Sequence, residues 1–142
     1  MSFKQQSKVN LDIALYLNGK NMDKLGKINK RELASVIINR LYYGVFLMAK
    51  ELIQEDEESR DSHIQFWKKI NNCMIDRRIG KRHDGYVLGD FWNDITSLKE
   101  MRVAYDYRNQ AYLNDESSII QEIAECFQLK DKICKILGRY IS

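Results

Sequence analysis

Proline is absent from this 142-residue chain, and glycine is scarce, with seven residues. The missing proline removes the residue that most sharply breaks helices. No purely apolar run reaches the ~18 residues that a membrane-spanning helix requires, so no transmembrane segment is expected. The opening Met1-Ser2-Phe3-Lys4-Gln5-Gln6 also lacks the apolar centre of a signal peptide. Cysteine is rare: Cys73, Cys126 and Cys134 are odd in number and form no CxxC pair. They read as reduced thiols, buried as small hydrophobes, in a cytoplasmic protein. Histidine is rarer still, with only His63 and His83. With neither HExxH nor a carboxylate–histidine helix pair, no metal is expected. The glycine patterns of P-loop, Rossmann and serine-hydrolase sites are missing too, and no cofactor is expected. Charge of one sign is not in excess, since 23 Lys and Arg face 20 Asp and Glu for a net +3. A polybasic tail held on nucleic acid by charge alone is thereby excluded, and so is an acidic disordered chain.

What is present is helical periodicity. A first helix is expected over Val9 to Leu17, closed by Asn18-Gly19. The strongest pattern runs from Lys30 to Gln54, with Leu33, Ile37, Arg40, Gly44, Leu47 and Met48 at three- and four-residue spacing. Val36, Tyr43 and Leu52 widen that stripe. A third helix is expected over Asp61 to Arg77, with Ile64, Trp67, Ile70, Met74 and Ile75 facing inward. A fourth covers Asp90 to Asn109 on the stripe Phe91, Ile95, Leu98, Arg102, Tyr105. Asn114-Asp115 then turns into a last helix ending near Tyr140. Strand alternation is missing. The expected fold is all-α: one domain spanning 1–142, an up-and-down bundle of four long helices plus a short N-terminal one.

Two arginines, Arg40 and Arg102, occupy positions where these stripes ask for hydrophobes. A buried guanidinium is costly without a carboxylate or a ligand anion. Asp106 lies one helical turn from Arg102 and can pair with it, or it can reach Arg40 across the bundle. The pairs either fix helix register or line a semi-buried cationic pocket for a phosphate.

Around these arginines the chain resembles the HEPN superfamily, the higher-eukaryote and prokaryote nucleotide-binding domain. The resemblance rests on Asn39-Arg40-x-Tyr42-Tyr43-Gly44-x-Phe46-x-x-Ala49-x-x-Leu52, on Ser62-His63, and on Leu98-x-x-x-Arg102-x-x-x-Asp106-Tyr107. The nearest likeness is to the small prokaryotic branch with R-x-Y-Y and R-x-x-A-D-Y motifs. That likeness implies a helical bundle, often a symmetric homodimer, acting on RNA or nucleotides in defence or toxin–antitoxin systems. Active members of the superfamily are metal-independent endoribonucleases with an R-x4-H motif. Here the arginine falls on Arg102 and the histidine position on Tyr107. A phenol ionises at about pH 10 and makes a poor base at neutrality. In some relatives encoded beside a nucleotidyltransferase, a tyrosine near the motif receives nucleotides, a part open to Tyr107 or Tyr112.

His63 is the other candidate for proton transfer, although a surface or capping role is the simpler reading. Arg77, Arg78, Lys81 and Arg82 form the concentrated basic segment, placed in a loop by Gly80 and Gly85, and can neutralise a few phosphates. The tyrosines beside the arginines suit base stacking, and equally suit a bundle core. Two functions are therefore expected to compete. One is an RNA- or nucleotide-binding protein with weak endoribonuclease chemistry at most. The other is a non-enzymatic helical module that partners a nucleotidyltransferase or effector.

Overall fold

The computed structural model describes residues 2–18, 30–53, 63–77, 84–107 and 116–140. They form five helices: α1 (Phe3–Leu17), α2 (Lys30–Ile53), α3 (His63–Arg77), α4 (Asp84–Tyr107) and α5 (Glu116–Tyr140). Among the described residues there is no strand, and the fold is an all-α bundle. α3 has 15 residues, as many as α1, so three helices rather than four are long.

α2 is the hub and packs against each of the other four helices. It contributes Leu33, Ile37, Ile38, Leu41, Tyr42 and Val45 to a core completed by Ile70, Phe91, Leu98, Ile123 and Leu137. By length and composition alone Arg31–Ile53 could cross a membrane, with a mean hydropathy of 1.2. Half of that stretch is buried inside the bundle, however, and this packing accounts for its apolar character.

α1 begins six residues earlier than its apolar pattern suggests. Its start is set by a capping box: Ser2 Oγ accepts the Gln5 N–H at 3.1 Å, and Gln5 Oε1 accepts the Ser2 N–H at 2.9 Å. α1 lies antiparallel on α2, with Phe3 beside Lys50, Ser7 beside Gly44 and Asn10 beside Arg40. The backbones are close at Gly44, whose carbonyl accepts the buried Ser7 hydroxyl at 2.6 Å. A Cβ there would overlap Leu11 Cδ2 and stand 2.7 Å from Leu11 Cγ. Alanine gains up to ~1 kcal/mol of helix propensity over glycine, while overpacking of this kind costs about 1–3 kcal/mol. Gly44→Ala is therefore expected to lower the melting temperature by about 3 °C. Adding Leu11→Ala to Gly44→Ala should cost less than Leu11→Ala costs alone, which a double-mutant cycle reads directly. A rise in melting temperature with Gly44→Ala would show that α1 does not sit this close.

α4 begins at Asp84, not Asp90, so Gly85 lies in its first turn rather than in a loop. Two expected inward residues are turned out: Ile64 is 53% exposed and Val36 44% exposed. Cys126 is buried, Cys73 and Cys134 are half-buried, and all three are free thiols. Burial pushes the Cys126 thiol up to about 12 and the Cys134 thiol up to about 11, which leaves both protonated and weakly nucleophilic at neutral pH.

Candidate functional site

The site forms where α2, α3 and α4 meet. Ser35, Asn39, Tyr42, Tyr43 and Phe46 fall along one edge of α2 at helical spacing, and each meets a residue of α3 or α4. Arg102 of α4 lies with its guanidinium over two of these rings, Cζ being 5.0 Å from the Tyr42 centroid and 5.2 Å from the Tyr43 centroid. Its Nε is 3.4 Å from Asp106 Oδ2, an ion pair one helical turn apart. That separation is too long for a good hydrogen bond, and Nε is buried without a hydrogen-bond partner. The two side chains are 12% and 18% exposed, so the pair is largely desolvated.

Asp106 also ties α4 to α2. Its Oδ1 accepts the Ser35 hydroxyl at 2.8 Å, and its Oδ2 accepts Asn39 Nδ2 at 3.3 Å. α4 therefore runs antiparallel to α2 here, with Arg102 opposite Tyr42 and Asp106 opposite Ser35.

His63 opens α3 and joins the same cluster. Its ring lies nearly parallel to Tyr42, with centroids 5.6 Å apart, and stacks on Phe46 at 4.9 Å. Nδ1 is 2.6 Å from the Tyr42 hydroxyl, which also accepts the Trp67 indole N–H at 3.1 Å. The reading of His63 as a surface or capping residue is corrected by these contacts. Burial lowers its pKa below the ordinary histidine value, and the positive charges of Arg102, Lys99 and Lys50 lower it further. Burial likewise pushes the Tyr42 phenol up to about 12, so it stays protonated.

Lys50 is 8% exposed and holds its ammonium 5.1 Å from the Phe46 ring and 5.5 Å from the Phe3 ring. Lys99 stands on the wall of a groove of about 390 Å³ between α3 and α4. Ile64, Trp67, Trp92 and Ile95 supply much of its apolar lining, and it passes one residue from His63. The volume lies within the range of small-molecule sites.

Arg40 is not part of this cluster, which corrects its expected place in a semi-buried pocket. It is exposed and donates to Asn10 Oδ1 of α1 at 3.1 Å. Its phase with Gly44 puts it on the rim of the α1-facing stripe, where a long side chain reaches water past the shorter helix. Asp106 accordingly pairs with Arg102 and not with Arg40. Tyr105, also expected near the site, is buried on the α5 side, where its hydroxyl donates to Glu122. Tyr107 ends α4 and Arg77 ends α3, but their side chains lie outside the described residues, as do Tyr112, Arg78, Lys81, Arg82 and His83.

Tyr42, weighed from the sequence for base stacking or the core, completes the site with Trp67, Ser35 and Asn39, which were not assigned a role. The signal that could have found three of them is the polar line Ser35, Asn39, Tyr42 beside the apolar stripe of α2. Among the described residues no group of three or more His, Cys, Asp or Glu side chains could hold a metal ion. Compared with known proteins, the chain matches no family model, no curated protein and no solved structure.

Proposed function

We propose that the chain is an RNA- or nucleotide-binding protein of HEPN type that holds a phosphate at Arg102 and His63. The observation that carries this reading is that Arg102 and His63, from two different helices, both contact Tyr42. A guanidinium offers a fork of donors suited to phosphate, and the ion pair with Asp106 is made through Nε. The groove lined by Ile64, Trp67 and Lys99 has the volume of a small-molecule site. The wider setting we infer is a cytoplasmic component of a prokaryotic defence or toxin–antitoxin system, working as a homodimer or beside a nucleotidyltransferase. Any cleavage is metal-independent and weak. Arg102 would stabilise charge on the phosphoryl oxygens, and Tyr107 stands where active relatives carry histidine.

One observation favours the competing reading, a helical interaction module whose polar cluster is structural. Asp106 already neutralises Arg102 and is itself satisfied by Ser35 and Asn39. Titration of labelled single-stranded RNA in EDTA separates the two. Wild-type protein is expected to bind with an affinity that falls as salt rises. Arg102→Lys, which keeps the charge and loses the fork, should weaken binding about tenfold. A folded Arg102→Lys and a folded Arg102→Met that both bind as wild type would leave Arg102 a purely structural role.

A further inference from the structure

The hydrogen-bond chain Trp67–Tyr42–His63 has a direction. An indole N–H only donates, so Tyr42 Oη accepts from Trp67 Nε1 at 3.1 Å. The phenol has one proton of its own, and 2.6 Å away stands His63 Nδ1. With the indole already donating to the oxygen, that proton points at Nδ1, and Nδ1 accepts. Neutral imidazole carries a single N–H, which is therefore on Nε2. The opposite tautomer would turn two donors on Tyr42 Oη and strand the phenolic proton inside a buried cluster.

The lone pair of His63 is thus spent inward, and its remaining nitrogen is a donor. The charged and titratable groups around the ring complete the picture. From α2 come Tyr42, Tyr43 and Lys50, and from α4 come Lys99 and Arg102. Asp106 is committed to Arg102, Ser35 and Asn39, while Glu100 is exposed on the wall of the groove that Lys99 also lines. Neither Lys50 nor Lys99 is ion-paired among the described residues. Around the His63 ring itself the charged groups are cations, and such a setting favours an anion.

We propose that Tyr42 and Trp67 are positioning residues that hold His63 as an Nε2–H donor, and that His63, Arg102 and Lys99 together bind a phosphoryl group with uptake of a proton. The inference rests on the phosphate reading above and changes the part of His63 in it. The imidazole is a hydrogen-bond donor, and once charged an acid, rather than a base that removes a proton from the ligand. In the free protein burial, and after it the surrounding cations, hold the His63 pKa below the ordinary histidine value and so favour the neutral ring. A bound anion offsets the cations and raises that pKa. The proton then adds to Nδ1, and the Tyr42 phenol turns its own hydrogen away and accepts, a cost the anion's charge must exceed. Binding must therefore tighten as pH falls.

Two-bond proton–nitrogen spectra of the full chain with labelled histidine test this, His63→Gln assigning the signals against His83. Free protein at pH 7.5 is expected to show His63 protonated on Nε2, with Nδ1 as acceptor. Adding inorganic phosphate, or the dinucleoside monophosphate ApA, should move the His63 titration upward. ApA has a charge that does not change in this range, and its affinity should rise about threefold or more between pH 7.5 and 5.5. Tyr42→Phe, checked as folded by circular dichroism, should mix the two tautomers of the free protein. A proton on Nδ1 in the free protein overturns the positioning role. A His63 titration unmoved by saturating phosphate and ApA overturns the anion site. An upward shift with phosphate, with neither ApA nor RNA bound, upholds the site for a terminal phosphate while removing RNA as its ligand.

Discussion

Trp67→Ala is expected to destabilise the bundle by about 4 kcal/mol and to lower its melting temperature by about 12 °C. Trp67 is 2% exposed and sits at the centre of the aromatic cluster. It lies edge-on to Phe66 at 5.1 Å, Phe46 at 6.1 Å, Phe91 at 6.1 Å and Tyr42 at 6.4 Å between centroids. Truncation opens a cavity where α3, α2 and α4 meet, and a buried aromatic removed from such a place costs the transfer energy plus the void. α3 has fewer other anchors than the long helices, since it packs only lightly on both α4 and α2. The loss is thus concentrated on the helix that carries His63. Trp67→Phe keeps most of the ring and loses only the indole donor, so about 1–2 kcal/mol is expected. Thermal unfolding of the three proteins orders them wild type, Phe, Ala. A Trp67→Ala protein melting within about 3 °C of wild type would mean that α3 does not depend on this contact. His63 should lose its protection from protonation in Trp67→Ala before global unfolding, because the phenol that holds it loses its own support.

The parts of this molecule that were legible in the sequence are those fixed by one helix at a time. Leu33, Ile37 and Leu41 repeat at the spacing of a buried face, and α2 follows them to within a residue. Arg102 shares a stripe with Leu98 and Tyr105, and it is indeed largely buried. The same reasoning misplaced Arg40, because phase identifies a face but not its edge. Arg40 belongs to the stripe that α1 covers, and α1 leaves its rim open to water. The early start of α1 lies in polar sequence and is opened by the Ser2–Gln5 cap, whereas that of α4 holds Tyr86, Val87 and Leu88 between Gly85 and Gly89, glycines that read as a loop. The meeting of His63 with Tyr42 and Arg102 was not legible at all. It depends on where α3 crosses α2, and no periodicity within either helix encodes a crossing.

Asp106→Ala is expected to cost about 2–3 kcal/mol, close to 8 °C in melting temperature, for a reason different from cavity formation. Removing the carboxylate takes away little volume but three interactions at once: the Arg102 ion pair and the bonds from Ser35 and Asn39. What remains is a guanidinium 12% exposed, held only by the faces of Tyr42 and Tyr43. A desolvated cation without its counter-charge is the costly species, and the two rings recover only part of the loss. Asp106→Asn should fall between, since an amide oxygen still serves Ser35 but no longer balances the charge. Replacing both members by apolar groups, as in Arg102→Met with Asp106→Leu, should restore most of the stability, because no charge is then left buried. The functional readout runs the other way. Asp106→Ala frees Arg102 from its carboxylate, so a folded Asp106→Ala protein should bind RNA as tightly as wild type or more tightly. The apolar double variant should lose binding while remaining folded. RNA affinity retained by the double variant would confine the pair to holding α4 on α2. Stability unchanged in Asp106→Ala would remove even that part.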